Sequence, residues 1–145
     1  ASVQPGVSSR TIQRQCQHFL YDDRCRVDRA SFDVATTVSS VSGYNVTVAS
    51  VGGNPDDWFK AGEIVRASDG ERRTIVGNAG AVLSLIAPFA TLNATDNVTL
   101  YAGCAHTVEV CRDKFSNVLN YGGHAQIPSS NPFDVPLTRL TLRGL

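Results

Sequence analysis

Trp58-Phe-Lys-Ala-Gly-Glu-Ile-Val-Arg-Ala-Ser-Asp-Gly-Glu-Arg-Arg-Thr-Ile-Val-Gly77 decides how this chain folds. It reads as two strands joined at Asp69-Gly70, a dipeptide that tolerates the positive φ of a tight hairpin. Asn78-Ala-Gly80 turns the chain again ahead of Ala81 to Ile86. Upstream, Phe32 to Ser42 and Tyr44 to Val51 are rich in Val and Thr and alternate in polarity about Gly43. Downstream, Asn97 to Ala102 repeats the strand pattern. About five to seven short strands at this even spacing predict a mainly β fold, a small antiparallel β-barrel or sandwich.

Both flanks change character. Thr107-Val-Glu-Val-Cys-Arg-Asp-Lys-Phe115 carries Val108, Cys111 and Phe115 at helical spacing with charges opposite, so a short helix is expected near 107–115 with Thr107 as its N-cap. Before the strands, a short N-terminal helix or turn is expected around Thr11 to Tyr21, followed by an irregular loop to Cys25. Residues 1–10, punctuated by Pro5-Gly6, read as a linker or flexible arm, and 11–145 as a single β-rich domain. From Tyr121 onward, Gly122-Gly123, Pro128, Asn131-Pro132 and Pro136 predict an extended, irregular tail.

The chain has 145 residues, 42% of them hydrophobic, which is enough for one core. Lys plus Arg and Asp plus Glu balance at 13 each, so no net field draws the protein to nucleic acid or to an anionic membrane. No apolar run reaches the roughly 20 residues of a membrane helix. Protein partners are expected, without nucleic acid and without stable membrane insertion.

Four cysteines form two local pairs, Cys16 with Cys25 and Cys104 with Cys111. A domain of this size does not need disulfides, and four thiols are sparse for a secreted disulfide scaffold, so the pattern points to a metal centre held by all four. Two disulfides stay open as the rival. Neither spacing is the Cys-x-x-Cys of a zinc ribbon, and the spacing does not name the metal. Four thiolates saturate either zinc or a cubane iron-sulfur cluster, which argues for structure or electron transfer over metal hydrolysis. By joining the two ends of the domain, such a centre acts as a clasp.

Other residues offer less chemistry. His18, His106 and His124 lie close to the cysteine segments or the glycine turn, but four thiols complete a ligand set, so these are expected as hydrogen-bonding neighbours or exposed side chains. Asp22-Asp23 and Asp56-Asp57 are sequence neighbours without a matching nucleophile and base, and no catalytic residue is expected. Gly62, Gly70, Gly77 and Gly80 read as hairpin glycines, because no Lys-Ser/Thr and helix follow them. Asn45-Val-Thr47, Asn93-Ala-Thr95 and Asn97-Val-Thr99 match a glycosylation pattern that strands and turns produce by chance.

Gly103-Cys-Ala-His-Thr-Val-Glu-Val-Cys-Arg-Asp-Lys-Phe-Ser-Asn-Val-Leu-Asn-Tyr-Gly-Gly123, with Ile127-Pro128 and Asn131-Pro132 after it, resembles the minor tail protein L family of long-tailed bacteriophages, including baseplate hub proteins of gene transfer agents. Cys16-Gln-His-Phe-Leu-Tyr-Asp-Asp-Arg-Cys25 is similar to that family's other cysteine pair. The resemblance covers roughly residues 12 to 133 and departs at His124-Ala125, where an aromatic-Pro pair is commoner. It implies that Cys16, Cys25, Cys104 and Cys111 hold a [4Fe-4S] cluster, with zinc as the alternative cofactor. It further implies a non-enzymatic virion protein at the tail tip or baseplate hub, assembled in the host cytoplasm. Its partners would be the distal tail, hub and central fibre proteins.

Family members are generally longer, so the chain is expected to be the cluster-bearing C-terminal portion. The segment from Asn117 to Pro132 is expected to wrap over the cluster, and the exposed barrel face to meet tail-tip neighbours. Two other readings remain: a disulfide-stapled extracellular binding module, and a redox or cell-wall-acting domain at the tail tip.

Overall fold

Hydrophobic alternation turns into a barrel because two strands are long enough to bend. The computed structural model describes residues 12–128. The expected arm over 1–10 and the tail features Asn131-Pro132 and Pro136 lie outside the described residues. Strands β1 (Asp33–Ser42), β2 (Asn45–Val48), β3 (Glu63–Arg66), β4 (Arg72–Ala79), β5 (Val82–Leu85) and β6 (Asn97–Tyr101) close in the order β1-β2-β5-β4-β3-β6, with every pairing antiparallel.

The first half of β1 pairs with β6 and its second half with β2, with a register shift between Val38 and Ser40. The first residues of β4 pair with β3 and the rest with β5, with a shift between Ile75 and Gly77. A bulge bends and twists its strand, so each long strand turns a corner there and the sheet closes without an open edge. At the hairpin read from Asp69-Gly70, Gly70 takes φ +73°, a conformation that costs a β-carbon-bearing residue energy.

The period-2 pattern sends one side of each strand inward. Val46, Val48, Ile64, Ile75, Leu83, Leu85, Val98 and Leu100 fill the barrel, and Phe59, Phe89 and Leu92 plug it from the loops. Full burial of each large aliphatic side chain is worth roughly 1.5–3 kcal/mol. Arg66 breaks the pattern, facing inward on β3 at 7% exposure. Its guanidinium meets the carboxylates of Asp69 and Glu71 and donates to both oxygens of Thr91 at 3.0 Å, so the buried charge is paired on every side.

Outside the barrel, helix α1 (Val108–Asp113) starts where expected, with the Thr107 hydroxyl accepting the Val110 N–H. Single 3-10 turns occupy Arg29–Phe32 and Val118–Asn120. The short N-terminal helix is not formed: residues 12–25 make bends and turns. The reason is visible at Cys16, whose N–H bonds to the His106 carbonyl at 2.8 Å instead of to a neighbour four residues back.

The Arg66 guanidinium beside Asp69 holds that carboxyl down at about 2, against an ordinary value of 3.8. A depressed folded-state value stabilises the fold above the unfolded value, and the contribution is lost as pH falls through about 2. Asp69 should therefore titrate near pH 2 by NMR, and Asp69→Asn should remove that part of the acid limb of the stability profile.

Candidate functional site

The end of the barrel beyond β6 is built on a close crossing of two backbones. A β-carbon on Gly103 would lie 1.8 Å from the Lys60 carbonyl oxygen and 2.4 Å from the Gly62 nitrogen, so only glycine fits immediately before Cys104. Ala102, fully buried, donates its N–H to the Phe32 carbonyl and accepts the Tyr21 hydroxyl at 2.8 Å. Around it gather Cys25, Val27 and Phe115, with Leu20, Phe32, Trp58, Cys104 and Val110 against them. Phe32 and Phe115 meet edge to face at 4.8 Å.

Each cysteine is presented by its own polar device. Asp22 forms the loop that carries Cys25: its carboxylate accepts the N–H groups of Cys25 (2.6 Å), Arg24 (3.0 Å) and Phe19 (3.3 Å). Those bonds, led by the Cys25 amide, hold its carboxyl below the usual range. Tyr21 and Arg26, on either side, take φ of 71° and 60°. The Cys16 Sγ accepts the Gly122 N–H at 3.3 Å, and the Cys104 Sγ accepts the N–H of His106, itself at φ 59°, at 3.3 Å. The Cys111 thiol, buried on α1, donates to the Asn117 carbonyl at 3.2 Å.

Asn117 then ties the two pairs to each other. Its side-chain amide donates to the Cys25 carbonyl and reaches the Cys25 Sγ at 3.9 Å.

All four thiols are free. Burial pushes the Cys104 thiol up, its neighbours Cys25 and Cys16 add to this, and Lys114 works against it. Burial likewise takes Cys111 up to about 11, with Cys104, Cys16 and Cys25 all contributing. Among the described residues, no three His, Cys, Asp or Glu side chains gather closely enough to hold one metal ion.

The remaining sequence candidates have quieter roles. The His18 ring donates through Nδ1 to the Asn120 carbonyl and lies so close to Gly122 that a β-carbon there would be 2.5 Å from Nε2. His106 and His124 contribute backbone: the Cys16 N–H bonds to the His106 carbonyl, and the His124 N–H to the Gln13 carbonyl. Asp56 accepts the Gly80 N–H while Asp57 pairs with Lys60, so these neighbours serve different partners.

The sequence weighs Asp22 only as a paired carboxylate and Lys114 and Asn117 only as parts of the resembling stretch; their hydrogen-bonding roles, and that of Trp58, come from the structure.

A family model described as "Phage conserved hypothetical protein BR0599" matches residues 57–131, just over half of the chain. A solved structure described as "Virion of native gene transfer agent (GTA) particle" is similar over 93% of this chain and 51% of that one, at 24% identity and a TM-score of 0.71. At that identity the likeness speaks for the fold. The chain spans about half the length of that virion chain. None of the curated proteins matches.

Asn117→Ala should cost about 1–3 kcal/mol, because it strips the Cys25 loop of its tie to the α1 loop and leaves a carbonyl without its donor. Chemical denaturation, with Asn117→Asp as the companion that keeps shape but loses the donor, checks the loss.

Proposed function

The chain belongs to the family of phage conserved hypothetical protein BR0599, and on that premise we propose that it is a structural virion component of a tail tip or baseplate hub, fastened by a [4Fe-4S] cluster on Cys16, Cys25, Cys104 and Cys111. The observation that supports this reading is that all four cysteines are free thiols, with Asn117 bonded to both the Cys25 loop and the Cys111 thiol, and Cys16 bonded to the His106 carbonyl and the Gly122 N–H.

The donor set fits such a group. Four sulfurs match the ligand count of a cubane, and none is consumed in a disulfide. Backbone N–H groups already aim at the sulfurs of Cys16 and Cys104, as they do around sulfur ligands whose negative charge is stabilised by hydrogen bonds. A single zinc ion would draw its sulfurs to about 2.3 Å from one point. When bound, the cluster supplies a saturated set of iron-thiolate bonds, and the residues around it orient the thiols and exclude water.

The role is structural, without catalysis. Closing the chain between residue 16 and residue 111 restrains the unfolded state over nearly the whole domain. Assembly with other tail proteins, the distal tail, hub and central fibre among them, is supported by two apolar side chains beside the cysteines. Phe19 is 80% exposed and Leu119 96%, and the His18–Asn120 hydrogen bond holds their segments side by side.

Anaerobically purified protein should be brown, with iron and acid-labile sulfide in equal amounts and broad visible absorption. Stoichiometric zinc in a colourless protein would replace the cluster but keep the clasp, and metal-free protein of undiminished stability would end both. Cys104→Ser should lower the stability of the entire domain, read as a fall in its thermal midpoint and loss of bound iron.

A further inference from the structure

Between the loop of residues 56–61 and α1 runs an open groove of about 420 Å³. Its lining is mostly apolar, with Trp58, Ala61, Ala105 and Val110 beside Lys60 and Lys114. Lys114 gives the groove a charge that nothing in it cancels. The ammonium donates to the carbonyls of Gly103 (2.7 Å) and Trp58 and lies 4.4 Å from the centre of the Trp58 ring. Among the described residues it forms no ion pair with a carboxylate. The acids of the groove are committed elsewhere: Asp57 pairs with Lys60 at 3.6 Å, and Asp56 accepts the Gly80 N–H at 2.6 Å. Carbonyls and a ring solvate an ammonium without neutralising it, and the two carbonyls take two of its three donors.

The groove is also shaped in advance. Both carbonyls that hold Lys114 belong to the crossing at which Gly103 leaves no room for a β-carbon. Ala61, in the facing wall, keeps φ 61°, a conformation alanine seldom adopts. A site already in place costs little ordering when it is filled.

We propose that this groove receives a short segment of a neighbouring virion protein that presents a carboxylate beside a large apolar side chain, the carboxylate meeting Lys114 and the apolar side chain lying on Trp58. The proposal takes from the reading above only that the chain assembles with other virion proteins, and nothing from the cysteines. The volume falls in the range of about 300–1,000 Å³ in which ligand pockets lie. Because the groove is open, its occupant can remain part of a larger chain. The lone ammonium selects an acid: a carboxylate there completes a charge-assisted hydrogen bond, while a basic segment would meet a like charge.

Trp58 is the single tryptophan of the chain, so its emission and its indole N–H resonance report the groove directly. Acetyl-Leu-Glu-amide should shift both saturably and bind about tenfold or more tighter than acetyl-Leu-Gln-amide, a preference that shrinks with added salt. Lys114→Gln should bind the two peptides alike. Ala105→Phe, which fills the groove from an exposed position, should bind neither.

No response of Trp58 to the glutamate peptide, or equal affinity of the wild-type chain for both peptides, overturns the proposal. Free isocaproate offers the same chemistry without a chain, and affinity equal to that of the glutamate peptide would make this a small-acid site and overturn it too. If Lys114→Gln does not fold, Ala105→Phe decides: loss of peptide binding supports the proposal and unchanged binding overturns it. Iron is measured on the same preparations, so a chain that prefers the glutamate peptide but holds no iron keeps the groove and loses the cluster, and an iron-loaded chain without the preference does the opposite.

Discussion

No β-carbon can stand between Gly103 and the Lys60 carbonyl, and the cysteine end of this protein is arranged around that contact. The strand β6 leaves the barrel there. The chain must cross the loop between Trp58 and Gly62 at backbone-to-backbone distance, and it emerges with Cys104 packed against the second cluster. Two carbonyls, those of Gly103 and Trp58, are left facing the same side, and Lys114 reaches up from the end of α1 to take both. The position of the helix, and with it of Cys111, follows from a crossing made several residues earlier.

Two regions of different physics share this end. The barrel interior is a closed set of aliphatic and aromatic side chains, and its stability comes from area removed from water. The cluster that supports the cysteines is smaller and partly open, built on Cys25, Val27, Ala102 and Phe115. Too little apolar area is buried there to hold three irregular segments by itself. Polar staples do the rest: Asp22 folds the first loop, Tyr21 hooks it to Ala102, and Asn117 bridges to Cys25. Trp58 packs against both regions, so a disturbance at the cysteines is felt by the barrel. The chain belongs to a phage family, and the likeness to a chain of a gene transfer agent virion speaks for the fold.

The strands were legible because burial on one side of a sheet leaves a period-2 trace: Val46 and Val48, Ile64 and Arg66, Val98 and Leu100 each point inward from alternate positions. The helix was legible from Thr107 and the spacing of Val108, Cys111 and Phe115. The segment before Cys25 was not, since Cys16 and Gln13 bond to His106 and His124 far along the chain, and a local pattern cannot report a distant partner. The bonds that Lys114 and Asn117 make were hidden for the same reason. A lysine on an amphipathic helix reads as solvent-facing until the carbonyls it meets are known.

Residue order alone determined that this chain forms a small antiparallel barrel or sandwich with four thiols in two local pairs, because periodicity and composition act over a few residues and survive without a fold. Only the tertiary structure decided that β1 and β4 bend to close the sheet, that Cys16 bonds to the His106 carbonyl, and that the half-buried Lys114 ammonium is taken up by the Gly103 and Trp58 carbonyls. Those outcomes depend on close backbone approaches and on hydrogen bonds between remote segments, which exist only once the chain has been brought together in three dimensions.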